Sequence, residues 1–186
     1  MADYRDTADV PAPSKSDLLN ALRSSRDEVI ALVRSLPPER LEEGRYENGW
    51  NGRQILAHIA SIEWSYPRLI DLARDAASPG KAAPPAPAAA AAPSVASADP
   101  PTRSMRGGND AYNDRQVAKR AGVPVADLLT EFEKNRAATI AAVEAADEAL
   151  FARQIRSAGG IVGPMGEVLH AVAVLHVLGH ARDIAD

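Results

Sequence analysis

Residues 168–184 read VLHAVAVLHVLGHARDI, and this stretch sets both the fold class and the candidate site of the chain. Positions three and four residues apart form one helical face, which consists of Leu169, Val172, Ala173, His176, His180 and Asp183. Pro164, just upstream, suits the first turn of a helix. We expect the imidazoles of His176 and His180, four residues apart, in or beside the apolar stripe and facing the interior.

The overall composition is typical of one helical domain covering residues 1–186. Of the 186 residues, 46% are hydrophobic but only 4% are aromatic, so the core must be built from aliphatic side chains and alanine. The chain has no cysteine, which excludes disulfides, thiolate ligands and a catalytic thiol of its own. Its net charge is −4 and it has no basic block, which argues against nucleic-acid binding.

The distribution of apolar residues predicts a cytoplasmic protein that does not contact a membrane. Residues 1–15, MADYRDTADVPAPSK, lack the basic start and apolar run of a secretory signal. Elsewhere, charge, histidine or proline interrupts each long apolar run before it reaches a membrane-spanning length.

Four long amphipathic segments predict an all-α four-helix bundle. They are residues 17–36, a segment that begins at Asn51, a segment that Pro124 opens, and the histidine segment. An Ala/Pro-rich, low-complexity insertion at about 76–104 separates helices two and three, and its composition indicates a disordered or polyproline-II loop. Because a long crossover allows parallel helices, we expect an up-down-down-up topology in which the short links join antiparallel neighbours.

The second helix has the clearest boundary signals. Asn51 is the expected N-cap and Gln54 its capping-box partner. Apolar positions then follow at steps of three and four, and His58 occupies one of these core positions. Pro67 removes a backbone hydrogen bond, so a kink or break is expected near Tyr66.

Three of the four histidines occupy inward positions on two distant helices and form a candidate metal site. The imidazoles of His58, His176 and His180 could bind Zn²⁺ or another first-row divalent ion and leave a position open for water or substrate. The alternative is three unrelated histidines, buried beside partners or half exposed. The occurrence of two histidines four residues apart and a third at a core position of another helix favours a metal site over three unrelated histidines. His170 is rotated off this face and is expected at the surface or behind the ligands.

Four further residues are weaker candidates for roles at this site. Glu63 and Asp183 could orient imidazoles from behind, although solvent exposure is the commoner arrangement for carboxylates. Tyr112 and Asn113 precede the third long helix and could line the mouth of a site.

Two motifs carry a resemblance to a known superfamily. GWNGRQILAHIASIEW (residues 49–64) and LHVLGHARDI (residues 175–184) resemble, in order and spacing, the DinB/YfiT-like four-helix-bundle superfamily, and the similarity covers most of the chain. The chain is also similar to mycothiol-dependent maleylpyruvate isomerase N-terminal domains and to ClbS/DfsB-type bundles. The resemblance implies an up-down-down-up bundle, often dimeric, with a divalent metal, commonly zinc or nickel, on His58, His176 and His180.

The resemblance also implies a type of chemistry. Characterised relatives include transferases and isomerases that use mycothiol or bacillithiol as an external thiol, which is consistent with the absence of cysteine here. The isomerase type has a glutamate where His176 stands, which argues against isomerase activity. The Ala/Pro-rich insertion lies outside the shared pattern.

Two classes of function follow from these observations. The first is a metal-dependent enzyme acting on a small molecule by thiol transfer, isomerisation or hydrolysis. The alternative is a non-enzymatic bundle that binds a small molecule or partner helix, with a structural metal or none. A homodimer is expected if the bundle leaves an apolar face uncovered.

Overall fold

The computed structural model describes residues 13–44, 49–77 and 108–185, so the N-terminal segment and most of the Ala/Pro-rich insertion lie outside the described residues. The long helices are α1 (Lys15–Ser35), α3 (Gly52–Glu63), α6 (Val125–Ala145) and a composite helix of α7 (Met165–His170), a π-helical turn (Ala171–Leu175) and α8 (His176–Ala185). The shorter elements are α2 (Pro38–Leu41), α4 (Pro67–Ala77), α5 (Gly108–Lys119) and a 3₁₀ turn (Glu148–Leu150). The predicted all-α four-helix bundle is confirmed.

The helix boundaries follow local signals in the sequence. Asn51 and Gln54 form the predicted capping box, in which each backbone N–H donates to the other side chain at 2.9 Å. The predicted break is also present, since α3 ends at Glu63 and Pro67 begins α4 after a short turn. Helix α1 begins two residues earlier than predicted, because Ser14 caps it.

Contacts at the two ends of α1 show that it runs antiparallel to α6. Near the start of α1, Nζ of Lys15 donates a hydrogen bond of 2.7 Å to the carbonyl of Ala146, just after α6 ends. Near the end of α1, Arg34 lies 3.4 Å from Glu133, in the first half of α6.

Helices α3 and α6 run parallel, as the long crossover between them predicts. Arg53 in the first turn of α3 donates to the carbonyl of Val123, just before α6 begins. Glu63, the last residue of α3, pairs with Arg136, beyond the middle of α6. Helices α3 and α6 thus form the two parallel central members of an up-down-down-up topology, in which α1 and α8 run the other way.

Helix α8 is antiparallel to α3 and parallel to α1. A side-chain carbon on Gly52, where α3 begins, would lie 3.5 Å from Cγ2 of Ile184 near the end of α8. The core clusters group the start of α1 with α7 and the π-turn, and its end with α8.

The order of neighbours around the bundle is α1, α6, α3, α8. Helices joined by the links 36–51 and 146–164 therefore lie diagonally opposite, and the prediction that linked helices are neighbours was wrong. The links contain ordered elements of their own, which makes them long enough to cross the bundle.

One of these elements is a β-hairpin where the sequence suggested only a glycine-rich loop. Strand β1 (Gln154–Arg156) pairs antiparallel with β2 (Val162–Pro164), and Gly160 has a φ of +87° in the turn between them. The backbone N–H of Met165 then donates to the carbonyl of Arg153 at 2.8 Å. The hairpin thereby sets where the composite helix starts.

The composite helix is long and apolar enough, by length and composition alone, to cross a membrane. Half of its most apolar window is buried inside the bundle, as is usual for a core helix.

Candidate metal centre

The three imidazoles predicted to converge lie together between α3 and α8. Nε2 of His176 and Nε2 of His180 are 3.0 Å apart, and the His58 ring centroid lies 5.7 and 5.0 Å from those of His176 and His180. One candidate ligand nitrogen from each residue lies within 4.8 Å of the other two. Because α3 and α8 are antiparallel neighbours, His58 faces the pair across one helix interface.

This geometry and donor set fit a small divalent ion. Two imidazole nitrogens bound to a tetrahedral zinc ion at about 2.0–2.1 Å each lie about 3.3–3.4 Å apart. The 3.0 Å between His176 and His180 is close to this spacing, and the wider separations within the group would close by ring movement. Nδ1 of His58 is buried without a hydrogen-bond partner among the described residues, and such a nitrogen is available to bind an ion. Imidazoles suit zinc, nickel or copper better than magnesium or calcium.

A carboxylate lies behind the paired histidines. Nδ1 of His180 is 3.2 Å from Oδ2 of Asp183. When Nδ1 donates outward in this way, Nε2 carries the free lone pair that metal ligation requires. Asp183 is only partly exposed and occupies the orienting position that was one of its two predicted alternatives.

Desolvation disfavours the protonated form of all three imidazoles, including that of His176, whose ring packs against the His180 ring although the residue has exposed surface. Burial lowers the pKa of His58 to about 3, and the two neighbouring histidines lower it further in the same direction. Burial also lowers the pKa values of His176 and His180 to about 4. Neutral imidazole is the form that binds a metal, so protons do not compete for this site near neutral pH.

A π-helical turn immediately precedes His176. The backbone N–H of His176 bonds to the carbonyl of Ala171, five residues back instead of four. The buried positions are Met165, Gly166, Val168 and Leu169 before the turn, Ala171, Ala173 and Val174 within it, and Val177, His180, Ala181 and Ile184 beyond it. His176, directly after the turn, is exposed, whereas His180 is 7% exposed. His176 thus lies beside the apolar stripe, and its Nε2 is still directed at Nε2 of His180.

The surroundings of the site are partly apolar. The Trp50 ring lies 5.2 Å from the His58 ring, tilted by 45°, and is itself only half-buried. Leu175, next to His176, is 42% exposed. An apolar rim beside the exposed ring is the kind of surface that a small organic molecule can contact.

Three other candidates lie further along the helices. His170 is half-buried at the end of α7 and is separated from His176 by the π-turn. Tyr112 and Asn113 are half-buried on α5, which packs against α3. Their position at the mouth of the site stays a prediction.

Glu63 occupies a place that neither of its predicted alternatives describes. It is fully buried and forms a two-point ion pair with Arg136, with Nε to Oε1 at 2.8 Å and Nη2 to Oε2 at 3.0 Å. Thr139 also donates to Oε1 at 3.2 Å. Sequence analysis overlooked Arg136, although it lies on the apolar face of α6 between Phe132 and Ile140.

The buried pair makes stability depend on pH. Burial raises the pKa of Glu63 from 4.5 to about 7, against the opposing effects of Arg136 and Thr139. The folded state therefore holds this proton more tightly than the unfolded state, and the contribution of Glu63 to stability declines as pH rises from about 4.5 to about 7. We expect the unfolding free energy of the wild type to fall by roughly 1–3 kcal/mol relative to Glu63→Gln across this window.

Urea unfolding of both proteins at pH 5 and pH 8 measures this change. The histidines are common to both proteins, so their titration cancels in the difference. If the difference in unfolding free energy between the wild type and Glu63→Gln is the same at both pH values, the prediction is contradicted.

The fold and the site define a helical-bundle protein with a candidate metal centre between two facing helices. Solved structures of other proteins share this fold. The mycothiol-dependent maleylpyruvate isomerase matches with a TM-score of 0.64 and 16% identity, covering 91% of this chain. YfiT from Bacillus subtilis, described as a probable metal-dependent hydrolase with an unusual four-helix bundle topology, matches with a TM-score of 0.65 and 14% identity.

The coverage and sequence identity of these matches support a shared fold and nothing more specific. The chain spans 60% of the isomerase, whereas the match with YfiT covers 98% of this chain and 90% of YfiT. No family model and no curated protein sequence matches the chain. At this identity the comparisons establish a shared fold, which is the fold that the DinB/YfiT-like resemblance implied.

Proposed function

We propose that this protein is a divalent-metal-dependent enzyme that acts on a small molecule, with the ion held by His58, His176 and His180. The observation that carries the proposal is the convergence of three neutral imidazoles whose candidate ligand atoms lie within 4.8 Å of one another. The printed descriptions of the two structural neighbours, a thiol-dependent isomerase and a probable metal-dependent hydrolase, support the same class of chemistry.

The reaction class follows from the donor set. Three imidazoles leave coordination positions free, and a zinc or nickel ion held by them would lower the pKa of a bound water or thiol enough to supply a nucleophile near neutral pH. The chain has no cysteine, so a thiol must come from outside, and mycothiol or bacillithiol are the proposed cosubstrates. Thiol transfer to a small electrophile is the first reaction to test and hydrolysis the second.

The residues of the chain have distinct roles in this proposal. Asp183 orients His180 through Nδ1, and Trp50 packs against His58 and shields it from water on one side. His176 is exposed, so the substrate approaches from its side.

Elemental analysis after reconstitution with Zn²⁺ or Ni²⁺ tests the proposal. We expect one ion per chain, and transfer of mycothiol or bacillithiol to electrophilic test substrates only in the metal-loaded protein. A parallel assay without thiol measures hydrolysis.

The matched control is His170→Ala, which removes a histidine of the same composite helix outside the site and should leave metal content unchanged. Failure of the wild type to retain stoichiometric metal would overturn the proposal. Stoichiometric metal without thiol exchange or turnover would instead favour the non-enzymatic binding bundle.

A further inference from the structure

The three proposed ligands lie on two helices, so one tertiary contact decides whether they meet. His176 and His180 are four residues apart on α8, and the helix itself fixes their spacing. His58 lies on α3, and it faces them because α3 and α8 are held at one position along their axes. A slip of α3 by one residue would move His58 by about 1.5 Å, which is most of a zinc–nitrogen bond length.

The interface between α3 and α8 restrains such a slip only weakly. The two helices meet through the facing histidine rings and through aliphatic side chains, and Ile55, Val177 and Ile184 belong to one core cluster. Aliphatic contacts are non-directional and tolerate repacking at little cost. The axial position of α3 therefore depends on its contacts with another neighbour.

That neighbour is α6, to which directional contacts bind the last turn of α3. Glu63 forms the two-point ion pair with Arg136, at 2.8 and 3.0 Å, and accepts a hydrogen bond of 3.2 Å from Thr139. Nδ2 of Asn135 donates to the carbonyl of Ala60 at 3.2 Å. Two-point pairing of a guanidinium with a carboxylate adds geometric specificity as well as energy, so it defines one position of α3 along α6.

A second polar contact on this side of α3 is less restrictive. Nη1 of Arg53, in the first turn, donates to the carbonyls of Arg120 and Val123 at 3.2 and 3.4 Å. A single guanidinium nitrogen makes both bonds, and the Arg53 side chain is 18% exposed. This contact allows axial movement that a fully buried two-point pair does not.

Arg136 also connects the pair to a third helix. Nη1 of Arg136 donates to Oγ of Ser25 at 3.0 Å and to the carbonyl of Leu22 at 3.4 Å, both in α1. The guanidinium thus joins α1, α3 and α6 in the core, and α8 packs against two of these helices, α1 and α3. A single buried polar group can set the register of packed helices in this way.

We propose that Arg136 and Glu63 are positioning residues for the metal site, because their pair fixes the axial position of α3 and so keeps His58 opposite His176 and His180. The inference rests on the proposed function, since it assigns the pair a role at a proposed ligand. Glu63 follows His58 by five residues, about 7.5 Å of rigid helix, so the pair acts on the ion only through His58.

The double variant Glu63→Met, Arg136→Met tests the inference. Replacing a buried ion pair by apolar side chains of similar size is often neutral or stabilising, so we expect wild-type helical content and a melting temperature close to that of the wild type. The methionines make no directional contact and leave the axial position of α3 unspecified. We expect Zn²⁺ affinity, measured by competition with a chromogenic chelator, to weaken about 3–30-fold.

Two further variants make the test specific. Arg34→Met combined with Glu133→Met removes an exposed ion pair between α1 and α6, and this control should bind Zn²⁺ as the wild type does. Arg136→Lys keeps the positive charge beside Glu63 but cannot bind both carboxylate oxygens in the same way. It should weaken Zn²⁺ binding less than the double variant, and it decides the question if the double variant does not fold.

Proton NMR of the metal-free proteins measures the position of His58 directly. The ring centroids of His58 and His180 are 5.0 Å apart, which is close enough for cross-peaks between their ring protons in a NOESY spectrum. We expect these cross-peaks in the wild type and in the Arg34/Glu133 control, and we expect them to be lost or weakened in the Glu63/Arg136 variant. A pair that contributed only to stability would leave them unchanged.

The outcomes separate this inference from the proposed function. If the wild type retains no stoichiometric metal, the proposed function fails, and the cross-peaks still show whether the pair positions His58. If the wild type binds Zn²⁺ and the folded variants of the pair bind it equally well with unchanged cross-peaks, the positioning role is wrong and the proposed function stands.

Discussion

Replacing His180 with alanine is expected to abolish stoichiometric metal binding. The substitution removes one of three proposed ligands, and loss of a direct ligand should weaken Zn²⁺ binding by more than the roughly 10–100-fold typical of groups behind the ligands. His58→Ala and His176→Ala should have similar effects. Chelator competition measures the affinities.

Thermal unfolding gives a second readout for the same variants. A metal at 100 times its dissociation constant stabilises the folded state by about 2.7 kcal/mol, so Zn²⁺ should raise the melting temperature of the wild type and of His170→Ala. The three site variants should show no such shift. A site variant that keeps both its metal content and its thermal shift would remove that histidine from the site.

Replacing Arg136 with methionine is expected to destabilise the protein by about 3–5 kcal/mol at pH 8, the second largest effect we predict. Arg136 is fully buried, pairs with Glu63, and donates to Oγ of Ser25 at 3.0 Å. Its removal leaves the buried Glu63 carboxylate without a counter-charge between three helices. Urea unfolding measures the cost, which should be smaller at pH 5 because Glu63 can then bind a proton.

Two comparisons establish whether burial of the charge is the cause. Arg34→Met breaks an exposed ion pair with Glu133, which also belongs to α6, and should cost less than about 1 kcal/mol. Combining Arg136→Met with Glu63→Met removes both charges and should recover most of the lost stability. If the double variant is as unstable as the single one, packing of Arg136 matters more than its charge.

The helices and the identity of the clustered histidines could be predicted because both depend on local spacing. The capping box of Asn51 and Gln54 and the break before Pro67 involve residues a few positions apart, so the sequence contains the whole interaction. The length of the crossover was sufficient to predict parallel α3 and α6. The same helical periodicity predicted that His58, His176 and His180 lie close to one another.

Features that depend on interactions between distant segments could not be predicted in this way. The diagonal arrangement of linked helices depends on how the elements within the links pack. The pairing of Glu63 with Arg136 joins residues 73 positions apart, and an arginine on an apolar face does not indicate its partner.

The sequence by itself determined that this protein is a helical bundle with three histidines at periodic positions in or beside the apolar stripes of two helices, since hydrophobic periodicity and capping act within one or two turns. The tertiary structure alone decided how those histidines are presented. The helix contains a π-turn at Ala171–Leu175, directly after which His176 is exposed while His180 is buried, with their Nε2 atoms 3.0 Å apart. Such a π-turn is stabilised by contacts of the two flanking helical faces with the rest of the bundle, and no local pattern records it.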